Sequence, residues 1–279
     1  MNLHIRAVEA APPLTSIGRY TLGMPHLCVN GLSENWLWKE LGHRHWGLIA
    51  EAFGRGASGF GPSDEPPIYA AFRNIALRDG DLASVGENDA LDVRSTVTHL
   101  SGSRVVSRHV AVCQDQLIAD VEMTSVFVRR RAEGKNRSVA RVRIDAQRRF
   151  APFDGNPLPL AATVGNTSQG DDAAGDERDV GVMIVEPCPH LDFNGAGLLY
   201  FSSFIAAVDR AEWRLLGKRP RLYATLERRA VFHANIEAGD DLTVRVLVSR
   251  EGAIRRHRAL LHAASDGKLL AEVVTHRVA

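Results

Sequence analysis

The sequence predicts an α+β fold in which one structural unit occurs twice in tandem. Three observations predict it: a short motif that recurs, a long helical pattern after each copy, and a strand-like alternation after each helix. The motif Pro25-His26-Leu27-Cys28-Val29-Asn30-Gly31 is matched by Pro189-His190-Leu191-Asp192-Phe193-Asn194-Gly195, with five of seven positions identical. Because Tyr69-Ala70 and Tyr223-Ala224 follow in the same order, we infer an internal duplication.

The first copy of the motif leads into a predicted helix. Between Gly31 and Phe53, apolar residues recur at intervals of three and four positions, which is the spacing of one helix face. Ser33 is a suitable N-cap, because its hydroxyl can accept a hydrogen bond from a free backbone N–H. Gly54 is a suitable stop, because glycine readily adopts the left-handed conformation that ends helices.

The second helix is predicted at about 196–216, and it is apolar on most of its faces, so we expect it to be buried. Gly217 and Pro220 are expected to end it. Beyond each helix the apolar residues alternate with polar ones, as at 242–248 and 269–278, which predicts half-buried strands. Turns are predicted at Glu251-Gly252 and Asp266-Gly267.

A long helix followed by an antiparallel meander is the pattern of the hotdog fold, in which a curled sheet wraps a central helix. One such unit alone would expose a strand edge, so the two units are expected to pair into one continuous sheet. The predicted fold is therefore an α+β double hotdog. Its predicted parts are an N-terminal repeat at 1–150, a polar linker at 151–180 and a C-terminal repeat at 181–279.

Composition excludes several classes of protein. With 45% apolar and 24% charged residues among 279, the chain is globular and neither disordered nor a disulfide scaffold. The net charge of +1 gives no general attraction to nucleic acid or membranes, and no apolar stretch approaches the ~20 residues of a membrane span. An N-terminus without a signal-peptide pattern predicts a cytoplasmic protein, as do three cysteines without a paired spacing. Cys28 is interpreted as a buried thiol.

Two groups of residues carry a family resemblance. In the second repeat, Asp192-Phe193-Asn194-Gly195 with Tyr200-Phe201 resembles the helix-start signature of hotdog thioesterases that act on acyl-CoA. The first repeat contains Gly23-Met24-Pro25-His26-Leu27, Asn30-Gly31-Leu32-Ser33-Glu34-x-Trp36-Leu37 and Leu41-Gly42-x-x-His45-Trp46. Together with the tandem repeats, these segments resemble the double-hotdog acyltransferase/decarboxylase family of polyketide biosynthesis, whose prototype serves leinamycin biosynthesis.

The resemblance implies an enzyme that takes methylmalonyl-CoA or malonyl-CoA, decarboxylates it and loads the acyl group onto a phosphopantetheinylated acyl carrier protein. It implies no biotin, metal or other cofactor beyond the coenzyme A thioester, and it implies a homodimer. The resemblance also implies that Tyr69 is the counterpart of the family's catalytic tyrosine. It would donate to the oxyanion or act as the nucleophile, or Tyr69 and Tyr223 are equivalent strand residues that serve packing. Two alternatives stay open: the same fold can serve thioester hydrolysis or enoyl dehydration, or it can act as a non-catalytic acyl-thioester-binding module.

The chemistry requires a site that stabilises an oxyanion, because decarboxylation leaves an enolate on the thioester oxygen. Helix N-termini offer unpaired N–H groups and the positive end of the helix dipole. The candidates are Asn30, Gly31, Leu32 and Ser33 in the first repeat and Asn194 and Gly195 in the second. Glu34, in the first helical turn, is a candidate general acid or base, or it compensates the helix dipole.

A run of basic residues begins at Arg129, Arg130 and Arg131 and continues to Arg149. It can dock an acidic carrier protein or coenzyme A phosphates, because guanidinium groups bind phosphate well, or it can be a solvated connector. Nucleic acid is not predicted, since no aromatic residues interleave the run. No metal site is predicted either: His43 and His45 are spaced to point to different faces of a helix.

Overall fold

The computed structural model describes residues 13–54, 66–144, 149–155, 177–217, 224–250 and 254–278. The N-terminal repeat contains β1 (Leu14–Thr21), β2 (Leu27–Cys28), β3 (Gly31–Leu32), α1 (Glu34–Ala52), β4 (Tyr69–Arg78), β5 (Ala90–Ser101), β6 (Arg104–Cys113), β7 (Gln116–Arg130) and β8 (Val139–Arg141). The C-terminal repeat contains β9 (Arg178–Val185), α2 (Pro189–Asp192), α3 (Phe201–Leu215), β10 (Ala224–Phe232), β11 (Leu242–Arg250), β12 (Ile254–Ala263) and β13 (Leu269–Val278).

One antiparallel sheet runs through both repeats in the order β1-β5-β6-β7-β4-β10-β13-β12-β11-β9, with β8 added beside β7. The order reads the same from either edge: each repeat supplies an edge strand, a three-stranded meander and one central strand. The central strands β4 and β10 pair through residues 74–77 and 228–231. The predicted double hotdog with one continuous sheet is therefore confirmed. β2 and β3 form a separate small hairpin.

Helix α1 has the limits that its sequence predicts. The Ser33 hydroxyl accepts a hydrogen bond from the N–H of Trp36 at 3.3 Å. Gly54 adopts a left-handed φ of +62° just after the helix, and its N–H donates to the carbonyl of Glu51 at 2.9 Å. The buried face of α1 packs on the sheet and on α3, where Trp38 meets Phe201 edge to face. The two repeats therefore share one core.

Helix α3 begins at Phe201, five residues after the predicted start at 196. The side-chain oxygen of Asn194 accepts hydrogen bonds from the N–H groups of Ala196 and Leu198 at 3.0 and 3.1 Å. Gly197 has a φ of +66°, which an α-helix does not allow. The prediction that Asn194 and Gly195 form a helix N-terminus is therefore wrong, because the Asn194 side chain closes a turn before the helix.

Three further expectations differ from the structure or fall outside it. Strand β9 begins at Arg178, inside the segment predicted as a linker. The Cys28 thiol is exposed and not buried, because it lies at the end of the β2–β3 hairpin. The turn at Asp266-Gly267 is confirmed by a φ of +69° at Gly267, whereas Glu251-Gly252 lies outside the described residues. In the described part of the chain, every helix is too short or too polar to cross a membrane.

Candidate active site

A cavity of about 410 Å³ opens where the two central strands part. The β4–β10 ladder stops at Asn74 and Val231, and beyond it residues 69–73 and 232–235 line opposite walls. The Arg73 guanidinium donates to the carbonyl of Phe232 at the point of separation. The turn at 194–199, the start of α3 and the β7–β8 region complete the walls. The cavity therefore lies between the two repeats.

Aromatic side chains contributed by both repeats make part of the cavity wall apolar. Phe72, Phe201, Phe204 and Phe232 all line it and are buried. The ring centroids of Phe72 and Phe201 are 4.4 Å apart, and those of Phe204 and Phe232 are 5.6 Å apart. Trp46 also lines the cavity, and its buried indole N–H has no hydrogen-bond partner among the described residues. This part of the wall is thus apolar, and its Trp46 indole N–H is an unused donor.

The N-terminus of α3 borders this cavity. Tyr200 is the N-cap residue and makes no side-chain capping hydrogen bond. The N–H of Ser203 donates to the carbonyl of Tyr200 at 2.9 Å, so the N–H groups of Phe201 and Ser202 are the donors left at this helix start. Burial, followed by the charge of Glu40, raises the pKa of the Tyr200 hydroxyl, so it stays protonated as a donor. A Cβ atom at Gly42 would collide with this hydroxyl, which explains the glycine in α1.

Tyr69, predicted as the catalytic tyrosine, lines the same cavity. It is half-buried at the start of β4, and its hydroxyl forms no hydrogen bond with any described residue. A phenol with a free hydroxyl can donate to a ligand oxygen without first giving up a protein partner. The cavity therefore holds two tyrosines, Tyr69 from the first repeat and Tyr200 from the second.

The mouth of the cavity is basic. Arg73 is half-buried, whereas Arg137, Arg141, Lys268 and His233 are exposed. None of the described residues that line the cavity is an aspartate or a glutamate. Partial loss of water around the ring, followed by the charge of Arg73, lowers the pKa of His233, although Glu272 opposes the shift. His233 is therefore a neutral imidazole near neutral pH and is able to accept a proton.

The start of α1, which is the counterpart of the start of α3, does not border an open cavity of this kind in the described part of the chain. At the start of α1, the Glu34 carboxylate accepts hydrogen bonds from the Trp38 indole and the Thr225 hydroxyl at 2.9 and 2.7 Å. It also pairs with Arg228, which is completely buried, at 2.9 Å. The N–H of Gly80, just after β4, donates to the carbonyl of Leu226 in β10, so the two central strands stay joined on this side. The start of α1 is therefore closed where the start of α3 borders a cavity.

The predicted site residues separate into two groups. Tyr69 and Asn194 lie together at the open cavity, and Gly195 is in the same turn as Asn194 without lining it. The remaining predicted residues surround the closed position and do not line the cavity: Asn30, Gly31, Leu32, Ser33 and Glu34. Gly31 is the first residue of β3, directly after the β2–β3 turn, and has a φ of +87°; its backbone packs against Leu82.

The three predicted docking arginines have different surroundings. The Arg130 guanidinium donates to the Asn136 side-chain oxygen at 3.0 and 2.6 Å and to the carbonyl of Ala196. The amide of Asn136 in turn donates to the carbonyls of Gly197 and Ile236, each at 2.7 Å. Arg130 therefore holds the turn that walls the cavity. Arg131 is exposed, and Arg129 is half-buried.

The two histidines of α1 point to different faces, as predicted. His43 is exposed, whereas His45 is buried between the hydroxyls of Ser107 and Ser125 at 2.7 and 2.8 Å. The chain of hydrogen bonds continues from Ser107 to His109, to Ser95 and to Arg44, in steps of 2.6–2.8 Å. These buried groups satisfy one another and do not line the cavity.

Several residues of the site were not predicted from the sequence. Arg73 and His233 carry no local signal, since they are 160 positions apart and meet only where the strands separate. Tyr200 belongs to the segment that resembles thioesterases, and Arg141 belongs to the basic run. The sequence therefore marks both residues, but it does not indicate that they line the same cavity.

Comparison with known proteins identifies the fold. No protein-family model matches the sequence, and no curated protein sequence matches it. Among solved structures, a 12:0-ACP thioesterase from Umbellularia californica matches with a TM-score of 0.68 and 10% identity, over 94% of this chain and 93% of that chain. An acyl-ACP thioesterase from Bacteroides thetaiotaomicron matches with a TM-score of 0.64 and 10% identity, over 94% and 97%. At this identity the likeness establishes the fold.

Proposed function

We propose that the protein is an enzyme that acts on malonyl-type thioesters. In this proposal it decarboxylates methylmalonyl-CoA or malonyl-CoA and transfers the resulting propionyl or acetyl group to the pantetheine thiol of an acyl carrier protein. The observation that carries the proposal is the open cavity, in which an apolar aromatic wall meets the start of α3 and the side chain of Tyr69. The acyl-ACP thioesterases with the same fold support an acyl thioester as the ligand.

The decarboxylation step suits this cavity physically. The bond between the α-carbon and the carboxylate breaks, its electron pair moves into the thioester to form an enolate, and carbon dioxide leaves. The N–H groups of Phe201 and Ser202 at the start of α3 and the hydroxyl of Tyr69 can stabilise the enolate oxygen. Aromatic walls favour the step because they remove water from the carboxylate. A proton from water or a tyrosine then completes the acyl group.

The transfer step needs a group that can accept a proton. The pantetheine thiol attacks the acyl carbonyl, the coenzyme A thiolate leaves, and the thiol proton passes to His233, which is neutral and lies at the mouth. The protonated imidazole then returns the proton to the leaving thiolate. His233 is thus the candidate acid–base group for transfer, the role for which the sequence offers Glu34.

Thioester hydrolysis is the second candidate function, and His233 is also the observation that favours it. A neutral histidine beside the cavity can activate water for attack on the thioester carbonyl. The described lining residues provide no carboxylate for this role. Breaking the carboxylate bond in decarboxylation needs no general base, whereas hydrolysis depends on His233 alone among the described lining residues.

Incubation of the full chain with methylmalonyl-CoA and a holo acyl carrier protein, followed by intact-mass measurement, tests the proposal. Propionyl carrier protein is the expected product. Free coenzyme A with free acid would support hydrolysis instead, and methylmalonyl carrier protein would show transfer without decarboxylation. Absence of turnover would contradict an enzymatic function. Carrier protein that lacks the pantetheine arm is the control.

Replacing Tyr69 with phenylalanine is expected to lower kcat about a hundredfold, because a donor to the developing oxyanion is lost. KM is expected to change little, since the ring and its packing remain. Initial rates of carbon dioxide release measure the effect. Tyr223→Phe, the counterpart in the other repeat, is the matched control and should keep its activity. Full activity in the Tyr69 variant would remove Tyr69 from the catalytic groups.

A further inference from the structure

Positive charges collect at the cavity mouth without matching acids. Arg73 and Arg141 both line it, and neither forms an ion pair with any described residue. Arg137 differs, because Asp240 and Asp266 neutralise it at 2.8 and 2.7 Å. The mouth therefore holds two guanidinium groups whose charge no described side chain balances. Guanidinium groups in proteins bind carboxylate and phosphate strongly, often with two parallel hydrogen bonds.

Arg73 is only partly satisfied by the protein. One terminal nitrogen donates to the Phe232 carbonyl, and the other lies 3.5 Å from the His233 ring. Its Nε is buried and has no hydrogen-bond partner among the described residues. A buried donor without an acceptor costs free energy, which a ligand oxygen can recover.

The neighbouring charge of Arg141 makes the positive charge of Arg73 less favourable. Burial, followed by the charge of Arg141, lowers the pKa of Arg73, so the positive form of Arg73 is disfavoured in the free protein. Two like charges close to one another repel unless an anion lies between them or beside them. The free protein therefore holds an arrangement that an anionic ligand would stabilise.

We propose that Arg73 and Arg141 form a subsite that binds an anionic group of the thioester substrate. The proposal rests on the proposed function in taking a thioester as the ligand, but it does not require decarboxylation. Two parts of such a substrate carry anionic oxygens: the phosphates of coenzyme A or of the pantetheine arm, and the free carboxylate of a malonyl-type acyl group. Either source satisfies the two arginines, and binding measurements distinguish them.

Two unreactive thioethers separate the sources. S-propyl-CoA carries phosphates but no carboxylate, and S-(2-carboxypropyl)pantetheine carries a carboxylate but no phosphate. Their affinities for the full chain and for Arg73→Gln and Arg141→Gln are measured by calorimetry. Loss of about tenfold or more in affinity for S-propyl-CoA alone assigns the subsite to phosphate. The same loss of affinity for S-(2-carboxypropyl)pantetheine alone assigns the subsite to the acyl carboxylate.

The proposal is overturned if both variants bind both thioethers as tightly as the unchanged protein, or if the unchanged protein binds neither. Because the thioethers do not react, a protein that fails to decarboxylate can still support the subsite. Arg108→Gln removes an exposed arginine away from the cavity and is the charge-matched control. Arg141→Gln should not lower the melting temperature, which separates ligand binding from a purely structural role.

Discussion

Replacing Arg228 with methionine is expected to destabilise the protein by about 3–5 kcal/mol. Arg228 is fully buried and pairs with Glu34 at 2.9 Å and with Asp209 at 2.7 Å. Burial by itself raises the pKa of Asp209, but Arg228 and Arg277 outweigh it and hold that pKa below its usual range. Removal of Arg228 leaves the mostly buried Glu34 carboxylate without its counter-charge, whereas Asp209 is partly exposed and keeps its pair with Arg277. The unpaired Glu34 carboxylate accounts for most of the expected loss.

Urea unfolding at neutral pH measures the effect of this substitution. Arg108→Met is the matched control: its pair with Asp120 is exposed on the arginine side, so we expect a change below about 1 kcal/mol. Adding Glu34→Gln to Arg228→Met should recover part of the loss, because one unpaired carboxylate disappears. Equal stability of the Arg228 and Arg108 variants would contradict the expectation that Arg228 neutralises a buried carboxylate.

The free energy of unfolding is expected to fall steeply as the pH drops from about 6.5 toward 4, because three histidines are buried in the neutral form. Burial lowers the pKa of His45 to about 3 and that of His109 well below its ordinary value. Burial also lowers the pKa of His257 to about 4, although Glu212 opposes the shift. The unfolded chain takes up these protons from pH 6.5 downward, whereas the folded protein does not.

The stability from these groups is therefore complete above pH 6.5 and is lost as the pH falls toward their folded pKa values. Each histidine contributes about 1.4 kcal/mol per pH unit within that window, so about 6 kcal/mol is lost by about pH 5. Urea unfolding at several pH values measures the slope. Carboxylates with lowered pKa values, such as Asp209, act only at lower pH.

His257→Leu tests the origin of this slope. Both ring nitrogens of His257 lack hydrogen-bond partners among the described residues, so leucine leaves few polar groups unsatisfied. The variant should lose about a third of the slope between about pH 6.5 and 5. An unchanged slope would show that His257 takes up a proton in the folded protein at the same pH as in the unfolded chain. The loss of stability below pH 6.5 would then have another cause.

The sequence by itself determined the fold, because each signal for it is local. The recurring motif, the three- and four-residue spacing of α1 and the alternation in the later strands involve residues close together in the chain. The continuous sheet followed from the duplication, since two equal units cover one another's edge. Helix α3 starts later than predicted because the Asn194 side chain accepts hydrogen bonds from two backbone N–H groups and forms a turn instead. The residue types alone are compatible with either the turn or a helix start.

The tertiary structure alone decided which of the two equivalent positions is open. The sequence placed similar residues at both, with Asn30-Gly31 matching Asn194-Gly195 and Tyr69 matching Tyr223. The decisive contacts join residues far apart in the chain: Glu34 meets Thr225 across 191 positions, and Arg73 meets His233 across 160. The buried pair of Glu34 and Arg228 closes the position at the start of α1, whereas Arg73 and Arg141 remain without carboxylate partners among the described residues beside the cavity at the start of α3. Charges neutralise one another only when the side chains are close in space, and the sequence does not show which residues are.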